Sequence, residues 1–335
     1  MIRKSGKLME ISIEIQAVDA FKINADVLVL KYAQELFGAD SQAFIRLAII
    51  HKNLDKELPR PGDFLMVESQ GNLGSGHVLF AGVPIIFLFR YKEIRSFAFN
   101  SLDYLAKEKP DVEHVCFTLH GVNYGLDETE AFESEVAGIV DAITQGKYPA
   151  KLKKISIVET YDPRAKRLGT ILKGILPNGV IKVEDRATFT RRNKRTSQLI
   201  NDAGINSEEK PLIFVAMPFY KKLDDVFHYG IQNAVNRAGF LCERADKIAF
   251  TGDILDLIKR RIGKASLVIA DLTTTNPNVY LEVGYAWGLG KSTILIAQDV
   301  EDLKFDVKGQ KCIIYSGIRE LEEKLSEELL GLNQK

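Results

Sequence analysis

Residues 266–289 read SLVIADLTTTNPNVYLEVGYAWGL. The first six form a short apolar run closed by Asp271, the pattern of a strand buried on both faces. Threonines and an asparagine follow. Thr275 or Asn276 can cap a helix there, and Pro277 suits its first turn, where a missing N–H loses no partner. Glu282 then interrupts an otherwise apolar helix face of Val279, Val283, Tyr285 and Ala286. A carboxylate buried on such a face costs several kcal/mol unless it is paired or functional. The bland reading is a partly exposed glutamate that salt-bridges a lysine. Gly284, Ala286, Gly288 and Gly290 are small, which predicts a helix packed close to its sheet.

Working outward, the same alternation repeats. Strands are expected at 212–217 (LIFVAM), 240–244 (FLCER), 293–298 (TILIAQ) and 311–315 (KCIIY), and helices at about 223–238, 252–263, 277–289 and 317–330. Five strands alternating with helices imply a parallel sheet covered on both faces, because parallel crossovers need intervening helices. The flavodoxin-like order 2-1-3-4-5 is the natural choice, with a ligand crevice at the carboxyl ends of its first and third strands. Those ends carry Met217-Pro218-Phe219 and Asp271 through Asn278.

The first half of the chain also reads as α/β, macro-like or Rossmann-like. Strands are expected at 11–18, 26–30, 64–68, 77–89, 114–119 and 154–159, with helices at about 41–53, 91–109, 129–143 and 164–175. The domains expected are 1–181 and 211–335, joined by a polar linker, 182–210, whose RRNKR run (191–195) reads better as a solvated basic face than as a phosphate contact. GNLGSG (71–76) opens no helix and reads as a hairpin turn. HGVNYGLDETEAF (120–132) leads from a strand into a helix. Its glycines could let backbone N–H groups cradle phosphate, while Asp127, Glu128 and Glu130 could equally serve the helix dipole alone. The helix at 91–109 carries Ile94, Phe97, Ala98, Leu102 and Leu105 as core or dimer surface.

Composition narrows the class. Of 335 residues, 46% are apolar and 27% charged, an ordinary globular balance. Lys plus Arg equals Asp plus Glu at 45 each, so no global field draws the chain to nucleic acid. The longest apolar stretch, Val78 to Phe89, is too short to span a bilayer, and no signal-peptide core opens the chain, so a cytoplasmic protein is expected. Cys116, Cys242 and Cys312 are widely spaced and read as reduced packing residues, and no metal-ligand spacing occurs.

Met217-Pro218-Phe219, Arg244 with Asp246, Gly252-Asp253-Ile254, residues 270–291 and FDVKG (305–309) together resemble the prokaryotic Toll/interleukin-1 receptor (TIR)-like domains related to nucleoside 2-deoxyribosyltransferases. The resemblance spans roughly 210–332 and implies a glutamate, here Glu282, that works on the ribose carbon bearing the base. A carboxylate there stabilises the oxocarbenium-like state by attraction or covalent capture. The resemblance implies Asp271 as a second catalytic residue on ribose or base. It puts Met217, Pro218, Phe219, Asp246, Asn276, Asn278 and Trp287 around the substrate, with Phe219 and Trp287 able to stack on a ring. NAD is then the substrate, with no cofactor. ADVLVL (25–30), LFAGVP (79–84) and HGVNYGLDETEAF resemble macro-like domains, which bind ADP-ribose; a CRISPR-associated Rossmann-like (CARF-type) sensor of cyclic oligoadenylate is the other resemblance. Tyr32, Gly82, His120, Gly121, Asn123 and Gly125 are the sensor-ligand candidates. Together these imply a ligand-activated NAD glycohydrolase of anti-phage defence, forming a homodimer or higher oligomer. The alternatives are a nucleoside deoxyribosyltransferase, a nucleotide N-glycosidase, or a synthase of a cyclic ADP-ribose signal.

Overall fold

The structure, a computed structural model, describes residues 10–182, 194–244, 254–304, 307 and 309–332. Its contacts divide the chain into two units, residues 1–122 with 128–207 and residues 123–127 with 208–335.

The first unit contains β1 (Glu10–Gln16), β2 (Val27–Tyr32), α1 (Ala39–Ala48), α2 (Leu54–Glu57), β3 (Phe64–Glu68), β4 (His77–Gly82), α3 (Tyr91–Glu108), β5 (His114–Thr118), α4 (Glu128–Thr144), β6 (Lys154–Val158), α5 (Asp162–Ile175), β7 (Val180–Lys182) and α6 (Lys194–Asp202). Its sheet runs β3-β4-β2-β5-β6-β1-β7. The five central strands are parallel and the two edge strands antiparallel. Ile94, Phe97, Ala98, Leu102 and Leu105 of α3 are all buried, so they are core. Glu135 of α4 is fully buried too, and among the described residues neither of its carboxyl oxygens meets a hydrogen-bond donor. Residues 69–76 join β3 to β4 as the expected hairpin; a side chain at Gly74 would meet the Ile23 carbonyl at 2.6 Å.

Three expectations need correction here. The strand expected at 77–89 stops at Gly82, because Pro84 has no N–H to continue a ladder. The helix expected at 41–53 ends at Ala48, and Asn53, in a left-handed conformation (φ 67°), precedes the separate single turn of α2. The expected linker is in part an element of this unit. Buried Arg95 donates from Nη1 to the carbonyls of Ile200 (2.7 Å) and Ala203 (2.6 Å), seating α6, while its Nε bonds Asp141 at 2.8 Å. Residues 191–193 of the basic run lie outside the described residues.

The second unit holds β8 (Leu212–Ala216), a π-helical stretch Val226–Gln232 continuing into α7 (Asn233–Arg237), β9 (Leu241–Arg244), α8 (Ile254–Lys264), β10 (Leu267–Asp271), α9 (Pro277–Gly288), β11 (Ser292–Ala297), β12 (Cys312–Ile314) and α10 (Ile318–Leu332). All pairings are parallel and the order is β12-β11-β10-β8-β9, the expected 2-1-3-4-5. Gly230 in the π-helical stretch lies where a Cβ would stand 2.9 Å from Leu321 Cδ2, so this stretch packs tightly on α10. Within the unit, the buried Asp127 carboxylate accepts from Gln232 Nε2 (3.1 Å) and the Cys242 amide (2.8 Å). Among the described residues no helix is long and apolar enough to cross a membrane. Cys116 and Cys242 are buried, Cys312 is half-buried, and all three are free thiols.

Candidate functional site

Strands β8 and β10 are neighbours, and their connections leave in opposite directions, so their carboxyl ends form the topological switch point of the sheet. Pro277 and Asn276 start α9 there as expected, with the Asn276 Oδ1 accepting from the Asn278 amide at 2.9 Å. Val279, Val283 and Ala286 form the buried stripe of α9. Glu282, four residues before Ala286 and three after Val279, flanks that stripe. Its side chain is half-buried, and among the described residues no cation or hydrogen-bond donor meets its carboxyl. Burial alone pushes its pKa up to about 7. The salt-bridged surface glutamate is therefore not what the structure shows.

The loop between β10 and α9 is strained. Thr274 and Thr275 both take left-handed backbone (φ 68° and 52°), a conformation that β-branched residues rarely adopt. Asp302 holds them. Its Oδ1 accepts from the Thr274 amide (3.1 Å), and its carbonyl accepts from Thr275 Oγ1 (3.2 Å) and the Tyr280 hydroxyl (3.0 Å). The Lys304 amide closes the loop on the Tyr280 oxygen at 3.1 Å.

The other candidates fall into distinct places. Asp271 is fully buried, with Oδ1 taken by the Thr273 amide (3.0 Å) and Oδ2 by the Tyr315 hydroxyl (3.2 Å). Burial pushes its pKa up, opposed by those hydrogen bonds. It fixes the strand end from within rather than facing a ribose. Met217 and Pro218 are buried, and the Met217 sulfur lies 3.5 Å from Arg244 Nη1. Phe219 is 41% exposed, with the Arg244 guanidinium 5.9 Å from its ring centre and 4.0 Å from that of Phe227. Asn278 is exposed. Trp287 is half exposed but five residues beyond Glu282, about 140° around the helix, so the two sit on opposite flanks. Gly284, Gly288 and Gly290 face open space, and of the small residues only Ala286 packs on the sheet. Asp246, Gly252, Asp253, Phe305, Asp306 and Lys308 lie outside the described residues.

In the first unit, Tyr32, Gly82 and the β5 exit at His120-Gly121 stand at the carboxyl ends of three adjacent parallel strands. Gly82 admits no side chain: a Cβ would lie 1.9 Å from the Arg60 carbonyl. Gly121 is left-handed at φ 86°. His120 is buried, with Nε2 3.3 Å from Thr118 Oγ1 and its ring edge-on to Phe97. Burial, with Lys31 nearby, lowers its pKa well below the usual range, so it is neutral. Asn123 is exposed, Gly125 is buried, and both are grouped with the second unit rather than with Tyr32 and Gly82. The acidic residues that come next have partners of their own: Glu128 binds Arg164 (3.0 Å) and Arg167 (2.7 Å), and Glu130 accepts from Ser207.

Some residues at these strand ends carried no signal in the sequence. Gln34 donates to the Val83 carbonyl at 3.1 Å and so ties the exits of β2 and β4. Lys31 and Asp40 form a buried ion pair at 3.4 Å. Asp302 holds the strained loop of the second unit. These four act largely on backbone groups or through a buried pairing, which residue type and spacing do not display. Among the described residues no cluster of three or more His, Cys, Asp or Glu is placed to hold a metal.

No family model matches the chain, and no curated protein does. Among solved structures it is similar to macrodomains. A macrodomain of Oceanobacillus iheyensis with ADP is 14% identical, with a TM-score of 0.40 over 51% of this chain and 99% of that one. A point mutant of the same macrodomain with ADPR gives 14% identity and a TM-score of 0.39 over 50% and 94%. A Trypanosoma brucei macrodomain in complex with ADP-ribose gives 13% and 0.40 over 48% and 69%.

Proposed function

We propose that the second unit cleaves the N-glycosidic bond of a nucleotide, with NAD as substrate and Glu282 as the group that stabilises the ribosyl cation. The observation that carries this reading is a half-buried carboxyl that meets no partner among the described residues, at the sheet's switch point beside a strained loop. Loss of nicotinamide from NAD breaks the bond between C1′ and a pyridinium nitrogen. The leaving group departs neutral and needs no proton, so one ionised carboxylate is the main requirement. Water then adds its hydroxide to C1′ and releases its proton to solvent. In a site withdrawn from water the attraction between carboxylate and cation is stronger than at the surface. In this proposal the exposed Phe219 ring stacks on the base. The first unit, in this proposal, binds an ADP-ribose-like nucleotide or a cyclic oligoadenylate at the exits of β2, β4 and β5, and that binding raises the activity of the second.

The test is release of nicotinamide from NAD by the full chain, alone and with ADP-ribose or cyclic oligoadenylate, beside Glu282→Gln. Glu282→Gln keeps the shape and removes the charge, and is expected to lower kcat by about a hundredfold or more. Release that is indifferent to this change would sink the assignment. Cleavage of free deoxynucleosides but not NAD would move the protein to the transferase reading.

A further inference from the structure

We propose that Asp302 is a positioning residue for the Glu282 site: its carboxylate and carbonyl clasp Thr274, Thr275 and Tyr280 and hold the strained turn that launches α9. The inference rests on the glycosidic reading for its catalytic consequence and on geometry for the clasp itself. Two consecutive β-branched residues at positive φ persist only where their surroundings over-determine them. Here the surroundings are the three hydrogen bonds to Asp302, two of them on the strained pair and one on Tyr280 in the first turn of α9. Asp302 is itself anchored, since its amide donates to the Asp299 carbonyl at 3.2 Å and the Asp299 side chain caps the same short turn through the Glu301 amide at 3.0 Å. Glu282 lies two residues beyond Tyr280. A shift of the turn therefore moves the carboxyl with the helix, without any contact between Asp302 and the reacting atoms.

Holding and charge make different predictions. Asparagine at 302 retains an oxygen acceptor for the Thr274 amide and loses the charge, whereas alanine loses both. Glycine at 274 adopts positive φ without strain, so it needs no clasp. The experiment compares Asp302→Ala, Asp302→Asn and Asp302→Ala with Thr274→Gly in the full chain, by nicotinamide release from NAD and by deuterium exchange over residues 272–280. Asp302→Ala is expected to lower kcat by about tenfold or more with little change in KM, and to speed exchange in that segment. Asp302→Asn is expected to stay within about twofold of the parent, and Thr274→Gly to recover most of the alanine loss. An alanine variant that matches the parent in both readouts overturns Asp302 as a positioning residue, since only the backbone carbonyl bonds survive that change. So does an asparagine variant as poor as alanine with no recovery by glycine, since that pattern belongs to charge. If the parent releases no nicotinamide, the glycosidic reading fails by itself. Exchange then decides the clasp alone: faster in Asp302→Ala and restored by Thr274→Gly supports it, and unchanged exchange overturns it.

Discussion

Burial lifts the pKa of Glu282 to about 7, so its carboxyl titrates in the neutral range. A cation-stabilising role needs the ionised form, so the fraction of competent enzyme grows as pH rises through that value. In the free enzyme kcat/KM is expected to climb about tenfold per pH unit well below 7 and to level off above about 8. A profile that falls with rising pH would make Glu282 a proton donor instead and would point to a leaving group that must be protonated. This residue was legible in the sequence because a charge on a helical apolar stripe is anomalous on its face. The place of Asp271 at a strand end marks it in the sequence too, but its orientation is not legible there. Whether a carboxyl at that position turns into the crevice or back under the loop depends on Tyr315, which lies 44 residues away and reaches its oxygen only in the folded chain.

At the scale of elements, α6 shows what polar composition conceals. Its sequence carries few large apolar residues, and what seats it is a guanidinium on α3 that binds its last carbonyls. Arg95→Ala leaves those carbonyls and Asp141 without their buried partner, which is expected to cost about 3–5 kcal/mol of stability. Urea titration of the variant measures this, and protease cleavage near residue 200 should accelerate in parallel. A loss below about 1 kcal/mol would mean that α6 is held by something else. Helix α9 shows the reverse. Small residues in its sequence suggested close approach to the sheet, yet three of the four face open space. Periodicity locates a buried stripe well when β-branched residues mark it, as Val279 and Val283 do, and poorly when glycines do, because glycine fits either face.

For the whole molecule, alternation of strands and helices was enough to read both α/β units and the 2-1-3-4-5 order of the second sheet. Parallel crossovers leave few arrangements for five strands, so the topology followed from the pattern. The seven-stranded order of the first unit was not legible, because its antiparallel edges include β7, three residues long and without a periodic signature. The carboxyl of Glu135 in that unit, which meets no donor among the described residues, bears on the whole chain rather than on any site. Burial holds its pKa well above the usual range, so folding above the ordinary carboxylate range draws a proton from solvent. Its contribution is neutral below about pH 4.5, where both states are protonated, and becomes unfavourable as pH rises and only the unfolded chain ionises. Folding is then coupled to the buffer. The calorimetric enthalpy of unfolding measured near pH 7 should differ between phosphate and Tris in proportion to the net protons exchanged, and Glu135→Leu should shrink that difference. If the two buffers gave equal enthalpies, no net proton would be exchanged on folding.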